Sequence, residues 1–429
     1  MAEGVQTLLR GLRRANCNVL SMAFSPTKLG RESLLPPGAV LALRRTLAHA
    51  AEHSPYYRNQ PWAARLRAGV PVTIDDIPET RKETVRDTPV AFESQWAPPE
   101  DGSISVKDTS GSTGIPLHVP KTKLHFAVNA AENKMLKAGW NFEVHQLHVI
   151  VTNSEVGKKL NELETFTGSD GLQMWKIHTG DSSAVAALLR KTQATLLHTR
   201  ASVVRALLED HPDIDFLRLI STVGDTVAPD FQRLLARIPD CRHCDVYGAV
   251  ETGIIAATCA TCGRYHVARR HLVTEILNDD GTETAPGELG RVVVTPLYNL
   301  AMPLIRYDIG DYAVRGTADA CDGSGMSFDR VMGKQRDMFK LSDGSKALPY
   351  LVKPALFDLG IKQYRLIQTT LQDVEFRYVP VVAGFAVDRN AVQNLINESI
   401  SPLLQVSCVQ VDELPIKAHA KFRVYESLI

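Results

Sequence analysis

The sequence predicts an α/β protein in two parts: a large N-terminal domain over residues 1–332, with parallel and mixed sheets, helices and a β-rich portion, and a small α+β domain over 333–429. Three observations predict this. Helical and strand signals alternate through the middle of the chain, in "LHVIVT" (147–152), "VAALLRKTQATLLHT" (185–199), then "VVRALLED" followed by "FLRLISTVGD". That order is the mark of a parallel sheet with crossover helices, whose ligands sit at the carboxyl ends of the strands. After residue 264 the texture turns to β, in "YHVARRHLVTEILNDDGTE", "GRVVVTPLY" and "PLIRYDIGDYAV". The remaining stretch is long enough for a small domain of its own.

The elements follow in order along the chain. The opening "MAEGVQTLLRGLRRANCNVLSMAF" mixes apolar and basic residues without a long apolar run. It reads as an amphipathic helix rather than a secretory signal or a membrane span. Within 37–70, "AVLALRRTLAHAAEH" carries a 3.6-residue apolar period, and Pro55 in "SPYYRNQ" breaks it. "WAPPEDGSISVK" (96–107) is a loop feeding a short strand, and 123–139 is read as helix. "RGTADACDGSG" (315–325) is the best linker candidate. Beyond it come strand alternation in "YRLIQTTLQDVEFRYVPV", a helix at about 389–403 and a final strand leading to "AHAKFRV".

The 429 residues carry 48 Lys+Arg against 48 Asp+Glu, with 44% hydrophobic residues. Zero net charge gives no support for a nucleic-acid partner, although it permits a local basic pocket for phosphates. Seven cysteines (Cys17, Cys241, Cys244, Cys259, Cys262, Cys321 and Cys408) make an odd count without an export signal. Reduced thiols or a metal are expected rather than a disulfide framework, with a cytoplasmic location, no membrane partner, and the homodimer that is the common state of soluble enzymes.

The densest chemical signal is "DTSGSTGIPLHVPKT" (108–122). Thr109, Ser110, Gly111, Ser112, Thr113 and Gly114 combine hydroxyl donors with glycines that let backbone N–H groups approach an anion. No GK[ST] ending follows, so this is not a Walker loop. Read alone, the hexapeptide is equally a surface turn.

Further segments follow in a fixed order: "DVYGAVETG" (245–253), "GELGRVVVT" (287–295), "MPLIRYDIGD" (302–311), "GKQRDMFK" (333–340) and "LPIKAHAKFR" (414–423). With the loop at 109–114 they resemble the adenylate-forming enzymes. The early "SPYYR" (54–58) and "LAMPLIRYDIGD" are similar to the phenylacetate–CoA ligase-like branch in particular. The resemblance spans nearly the whole chain. It implies ATP-dependent activation of a carboxylic acid, aromatic by the branch, to an acyl-adenylate with pyrophosphate release, then transfer to coenzyme A. Two other readings stay open: the same adenylate passed to a carrier protein, an amine or another nucleophile, and a silent nucleotide- or acyl-binding homologue.

The resemblance also implies roles. The loop holds the β- and γ-phosphates, and Glu251 binds Mg²⁺, a hard cation suited to carboxylate oxygen. Tyr247 stacks on adenine, and Asp311 accepts from the ribose hydroxyls. Gly224 and Asp225 form the nucleotide-site turn, with Asp225 where glutamate is usual, while Asp245, Val246, Gly248 and Thr252 complete the AMP site around Tyr247. Lys334 stands where arginine is usual, and Asp337 marks the interdomain hinge. Lys421, after Ala420 rather than the usual glycine, is the adenylation lysine, delivered as a point charge by a mobile small domain. Lys417 is its neighbour and rival.

"CATCGRYH" (259–266) is a C-x₂-C pair followed by histidine, a start for structural Zn²⁺. Cys241 and Cys244 are one completion, against which stands their opposite parity on the approach to Tyr247. His266 and Cys321 are the other, which the resemblance favours. Free thiols are the third reading.

Overall fold

A computed structural model describes residues 35–109, 117–141, 147–152, 161–167, 173–179, 181–227, 231–323, 325–334, 338–349, 351, 356, 359–382, 385–414 and 425–429. Ser110, Gly111, Ser112, Thr113, Gly114, Asp337 and Lys421, together with the opening segment, lie outside these residues.

Prolines punctuate the N-terminal helices. Helix Pro37–His53 runs to Ser54, and the short helices Pro55–Arg58 and Pro61–Arg67 each begin on a proline, which lacks the N–H an earlier turn would need. The helical stretch over 37–70 is broken at Pro55, as expected, and again before Pro61, and its three pieces fold so that Leu43, Leu47, Tyr57, Trp62 and Ala63 enter one apolar core. Strand β1 (Thr80–Arg81) and helix Lys82–Asp87 follow. Strands β2 (Ile104–Asp108) and β3 (His118–Thr122) pair as an antiparallel hairpin whose tip is the hydroxyl- and glycine-rich loop. Thr122 caps helix Lys123–Leu136 by accepting from the His125 N–H.

The alternating segment builds β4 (Leu147–Thr152), β5 (Leu163–Thr167), β6 (Gln173–His178), β7 (Leu196–Thr199), β8 (Leu219–Val223) and β9 (Arg242–Ala249). β4 pairs in parallel with β6 and β7, and β7–β8 and β8–β9 are also parallel. Helices Ser182–Thr192 and Ala201–Asp210 cover this part. The second buries Ala201, Val203, Val204, Leu207 and Leu208, a stripe at helical spacing.

The β-rich part adds β10 (Gly253–Thr258), β11 (Tyr265–Val267), β12 (Leu272–Leu277), β13 (Leu289–Pro296), β14 (Tyr307–Arg315) and β15 (Ser327–Lys334). All join one mixed sheet of 13 strands among the described residues, ordered β12-β13-β14-β15-β11-β10-β9-β8-β7-β4-β6-β5, with β1 beside β14. Residues 315–325 are not a linker. They form most of the connection between β14 and β15, which pair antiparallel with Asp311 opposite Lys334. The sequence offered Gly, Asp and Ser there, which serve a hairpin as well as a linker.

After Lys334 the pairing starts afresh. β16 (Phe339–Lys340) pairs with β17 (Lys346–Ala347). β18 (Ile361–Gln368), β19 (Asp373–Pro380), β20 (Gln405–Gln410) and β21 (Tyr425–Ser427) form a second sheet, ordered β20-β19-β18-β21. Helix Arg389–Ser399 packs on it, capped by Asp388, and Phe339, Leu366, Phe376, Val392 and Ile396 belong to a core of its own.

Candidate active site

The turn after β9 carries Glu251, only 2% exposed, and two elements distant in sequence converge on it. Lys82 Nζ donates to Glu251 Oε1 at 2.8 Å and the Tyr307 phenol to the same oxygen at 3.1 Å. Lys82 is delivered by β1, whose Thr80 and Arg81 lie opposite Tyr307 and Asp308 on β14. The junction is fixed by Arg306, held at φ 46°. That left-handed backbone is strained for a side chain of this size. It is secured by a two-pronged contact of the guanidinium with Glu275 at 3.0 and 3.1 Å, and by the Arg306 carbonyl accepting from Thr80 N–H at 2.8 Å.

Beside Glu251, the Tyr247 phenol donates to Asp311 Oδ2 at 3.0 Å. Burial, then the Asp311 carboxylate, pushes that phenol well above its ordinary pKa, so it stays a donor. Asp311 opposes Lys334 across β14 and β15. Gly333, at φ 82°, has no room for a side chain: a Cβ there would lie 2.4 Å from Thr226 Oγ1, next to the Gly224–Asp225 turn. Tyr247 on β9, with Glu251 and Thr252 in the turn after that strand, thus meets Asp311 on β14, which lies opposite Lys334 on β15.

The remaining expected residues have structural contacts of their own. The Asp245 carboxylate is buried and accepts from the Thr222 hydroxyl and from the Tyr265 phenol at 2.5 Å. Its side chain thereby braces β8, β9 and β11, and desolvation lifts its pKa to about 6. Asp225 accepts from the Ser202 hydroxyl at the start of helix Ala201–Asp210. Gly248 leaves space for the Gly253 carbonyl, which a Cβ would meet at 2.7 Å. Val246 is buried on β9 and Thr252 donates to the Gly253 carbonyl at 3.2 Å.

The ends of the hydroxyl-rich loop are tied together: Thr109 N–H donates to Leu117 O at 3.0 Å, and Leu117 N–H to Thr109 Oγ1 at 2.9 Å. Downstream on β3, Lys121 is 4% exposed and donates to His125 Nε2 at 2.9 Å. Burial lowers its pKa to about 8, against the pull of Glu251, whose charge it senses. Burial, then Lys121, holds His125 neutral, as an acceptor must be. Sequence reading missed Lys82, Lys121 and Tyr307 as neighbours of Glu251. Lys121 and Tyr307 sat inside quoted motifs without a role, and nothing in spacing links Lys82 to a residue 169 positions away.

A separate cluster forms where β10 turns into β11. The ligand atoms of Cys259, Cys262, His266 and Cys321 lie within 4.8 Å of one another. Cys259 and Cys321 sulfurs are 3.7 Å apart, with His266 Nε2 at 3.4 Å from Cys262 and 3.7 Å from Cys321. A tetrahedral Zn²⁺ with ordinary bond lengths spaces thiolates by about 3.8 Å and thiolate from imidazole by about 3.6 Å, so the donor set fits that ion. Asp322 Oδ2 lies 3.5 Å from His266 Nδ1, the place of an orienting carboxylate. Cys244 is fully buried on β9 and takes no part.

No family model matches the chain. Among curated proteins it is 26% identical over 320 residues to phenylacetate-coenzyme A ligase of Escherichia coli (strain K12), covering 69% of this chain and 70% of that one. Among solved structures it resembles 2-hydroxyisobutyryl-CoA ligase in the postadenylation state in complex with 2-HIB-AMP, at TM-score 0.66 and 16% identity over 94% of both chains. Against the same ligase in the thioesterification state the TM-score is 0.57 over 94% of this chain and 95% of that one. An anthranilate CoA ligase in complex with anthranoyl-AMP matches at TM-score 0.54 and 15% identity, over 83% of this chain and 73% of that one. In sequence the chain is thus similar to a phenylacetate-coenzyme A ligase, and it shares its fold with CoA ligases solved in complex with acyl-adenylates.

Proposed function

We propose that the protein activates a carboxylic acid with ATP and transfers the acyl group to coenzyme A. In the first step a carboxylate oxygen attacks the α-phosphorus, and the bond to the bridging oxygen breaks, releasing pyrophosphate. In the second, a thiolate sulfur attacks the acyl carbon of the adenylate and AMP leaves. The observation that carries the reading is the convergence of Lys82, Tyr307, Tyr247 and Asp311 around Glu251. Both steps gather or redistribute phosphate charge, and fixed cations and donors in a water-poor site lower the barrier.

In this reading Glu251 would hold Mg²⁺, which would supply positive charge for the phosphates. Lys82 pairs with the Glu251 carboxylate and aims it. Tyr247 and Asp311 hold the adenosine, the loop from Thr109 to Gly114 cradles the β- and γ-phosphates, and Lys334 is a further nucleotide contact. Asp337 serves as the hinge of a mobile C-terminal domain beginning at 333, and Lys421 bridges the α-phosphate and the carboxylate. Cys259, Cys262, His266 and Cys321 hold a structural Zn²⁺. An aromatic acid is favoured by the phenylacetate and anthranilate relatives.

The test is acid-dependent ATP–pyrophosphate exchange over a panel of aromatic and aliphatic acids, with Lys421→Ala beside the unaltered chain. Exchange with one acid, lost in the variant, supports adenylation. Coenzyme A-dependent AMP release with that acid then identifies the acceptor, and AMP release only with an amine or a carrier-protein thiol would replace coenzyme A. Silence with every acid, while ATP still binds, would overturn the reading.

A further inference from the structure

The hairpin β16–β17 reaches back to the large sheet through the side chain of Lys346. Lys346 Nζ donates to Asp279 Oδ1 at 3.0 Å and Oδ2 at 2.8 Å, and also to the Tyr312 hydroxyl. The same ammonium stands 4.4 Å from the centre of the Tyr312 ring, and the Tyr312 phenol donates in turn to Asp279 Oδ1 at 2.9 Å. The result is a closed ring of three groups. Asp279 comes from the turn between β12 and β13, and Tyr312 from β14, next in sequence to Asp311 and opposite Gly333. No strand pairing joins the small sheets to the large one among the described residues.

Two properties suit this ring to a contact that opens and closes. The Lys346 side chain is 16% exposed while Asp279 is 66% exposed, so water competes for the carboxylate. Against that desolvation, hydrogen bonds from Lys346 and Tyr312 still hold the Asp279 carboxyl below its ordinary pKa. An exposed pair of this kind shifts an equilibrium only about two- to fivefold, which favours one arrangement without locking it. The second property is global. The chain matches the postadenylation form of the hydroxyisobutyryl ligase better than its thioesterification form, at nearly the same coverage.

We infer that Lys346 is a positioning residue: clamped by Asp279 and Tyr312, it docks the C-terminal region on the β12–β14 edge in the arrangement that follows adenylation, and its release permits the acyl transfer. This rests on the proposed two-step function. Lys346 touches no reacting group. It acts by setting how long the region stays docked, so its loss changes the ratio of the two half-reactions rather than the chemistry of either.

The experiment compares Lys346→Met, Asp279→Asn and the exchanged pair Lys346→Asp with Asp279→Lys, each checked for an unchanged melting temperature. Fluorophores attached through unnatural side chains at the exposed Val90 and Val382 report the separation of the two regions. Pyrophosphate exchange and thiol-dependent AMP release from preformed acyl-adenylate are timed separately. Both single variants are expected to shift the distance distribution and to slow exchange about two- to fivefold relative to AMP release, and the exchanged pair to restore both. An unchanged distance distribution, or an equal fall in both half-reactions, overturns the inference. Absence of exchange in the unaltered chain with any acid would instead sink the functional reading, and the distance measurement would still decide the docking contact.

Discussion

At the scale of single residues, the site is built by burying charge only where another group answers it. Glu251 is the clearest instance, since a carboxylate this deep is costly unless paired, and Lys82 and Tyr307 supply the pairing. Glu251→Gln is expected to reduce pyrophosphate exchange about a hundredfold or more and to raise the Mg²⁺ concentration needed for half-maximal rate. A rate lost without any change in Mg²⁺ dependence would contradict the metal role. Asp245 makes a different prediction. Its folded pKa of about 6 lies above the ordinary 3.8, so the folded protein holds the proton more tightly. Stability from this group is therefore full below about pH 4 and falls as pH rises through 6, by about 3 kcal/mol. Between pH 4.5 and 7, Asp245→Asn should lose less stability than the unaltered protein in urea melts, whereas equal slopes would refute this. Glu251, Tyr247 and Asp311 were legible because each sits in a short ordered motif. Lys82 and Lys121 were not, because their partners come from the fold.

At the scale of elements, the two hairpins of the cysteine cluster matter most. Cys259, Cys262 and His266 surround the β10–β11 turn, and Cys321 comes from the β14–β15 connection, which was legible only as a linker. Parity and the resemblance favoured Cys321 over the Cys241–Cys244 pair, and strand register, which decides which sulfurs meet, brings Cys321 to the other three donors. We expect one Zn²⁺ per chain by elemental analysis. Cys262→Ser or a chelator should lower both metal content and melting temperature, and full stability without metal would return the thiols to a passive role. Gly333→Ala tests the same strand from its far end. The left-handed backbone and the Thr226 contact together should cost about 1–3 kcal/mol, seen in chemical denaturation, and pairing it with Thr226→Ala should recover part of that loss.

At the scale of the whole molecule, the sheet that ends at Lys334 and the core built around Phe376 and Val392 share no strand pairing among the described residues. A chain ending at Lys334 is expected to bind ATP, by calorimetry, yet to fail in pyrophosphate exchange because Lys421 is missing. Exchange at the full rate would remove that lysine from the mechanism. Alternation of helix and strand made the parallel half of the large sheet readable. The antiparallel half was readable only as β texture, because strand order is fixed by long-range pairing that periodicity does not encode. No helix among the described residues is long and apolar enough to cross a membrane.

The strand order has a consequence for synthesis on the ribosome. β15 is the last strand of the large sheet to be made, yet it lies between β14 and β11 rather than at an edge. Until Ser327–Lys334 leaves the exit tunnel, a nascent chain carries two hydrogen-bonding edges with nothing between them, and the sheet can close only once that strand is inserted. Chains stalled or cut between Arg315 and Ser327 would therefore be the ones that aggregate or recruit chaperones, while chains released a few residues later could close the sheet.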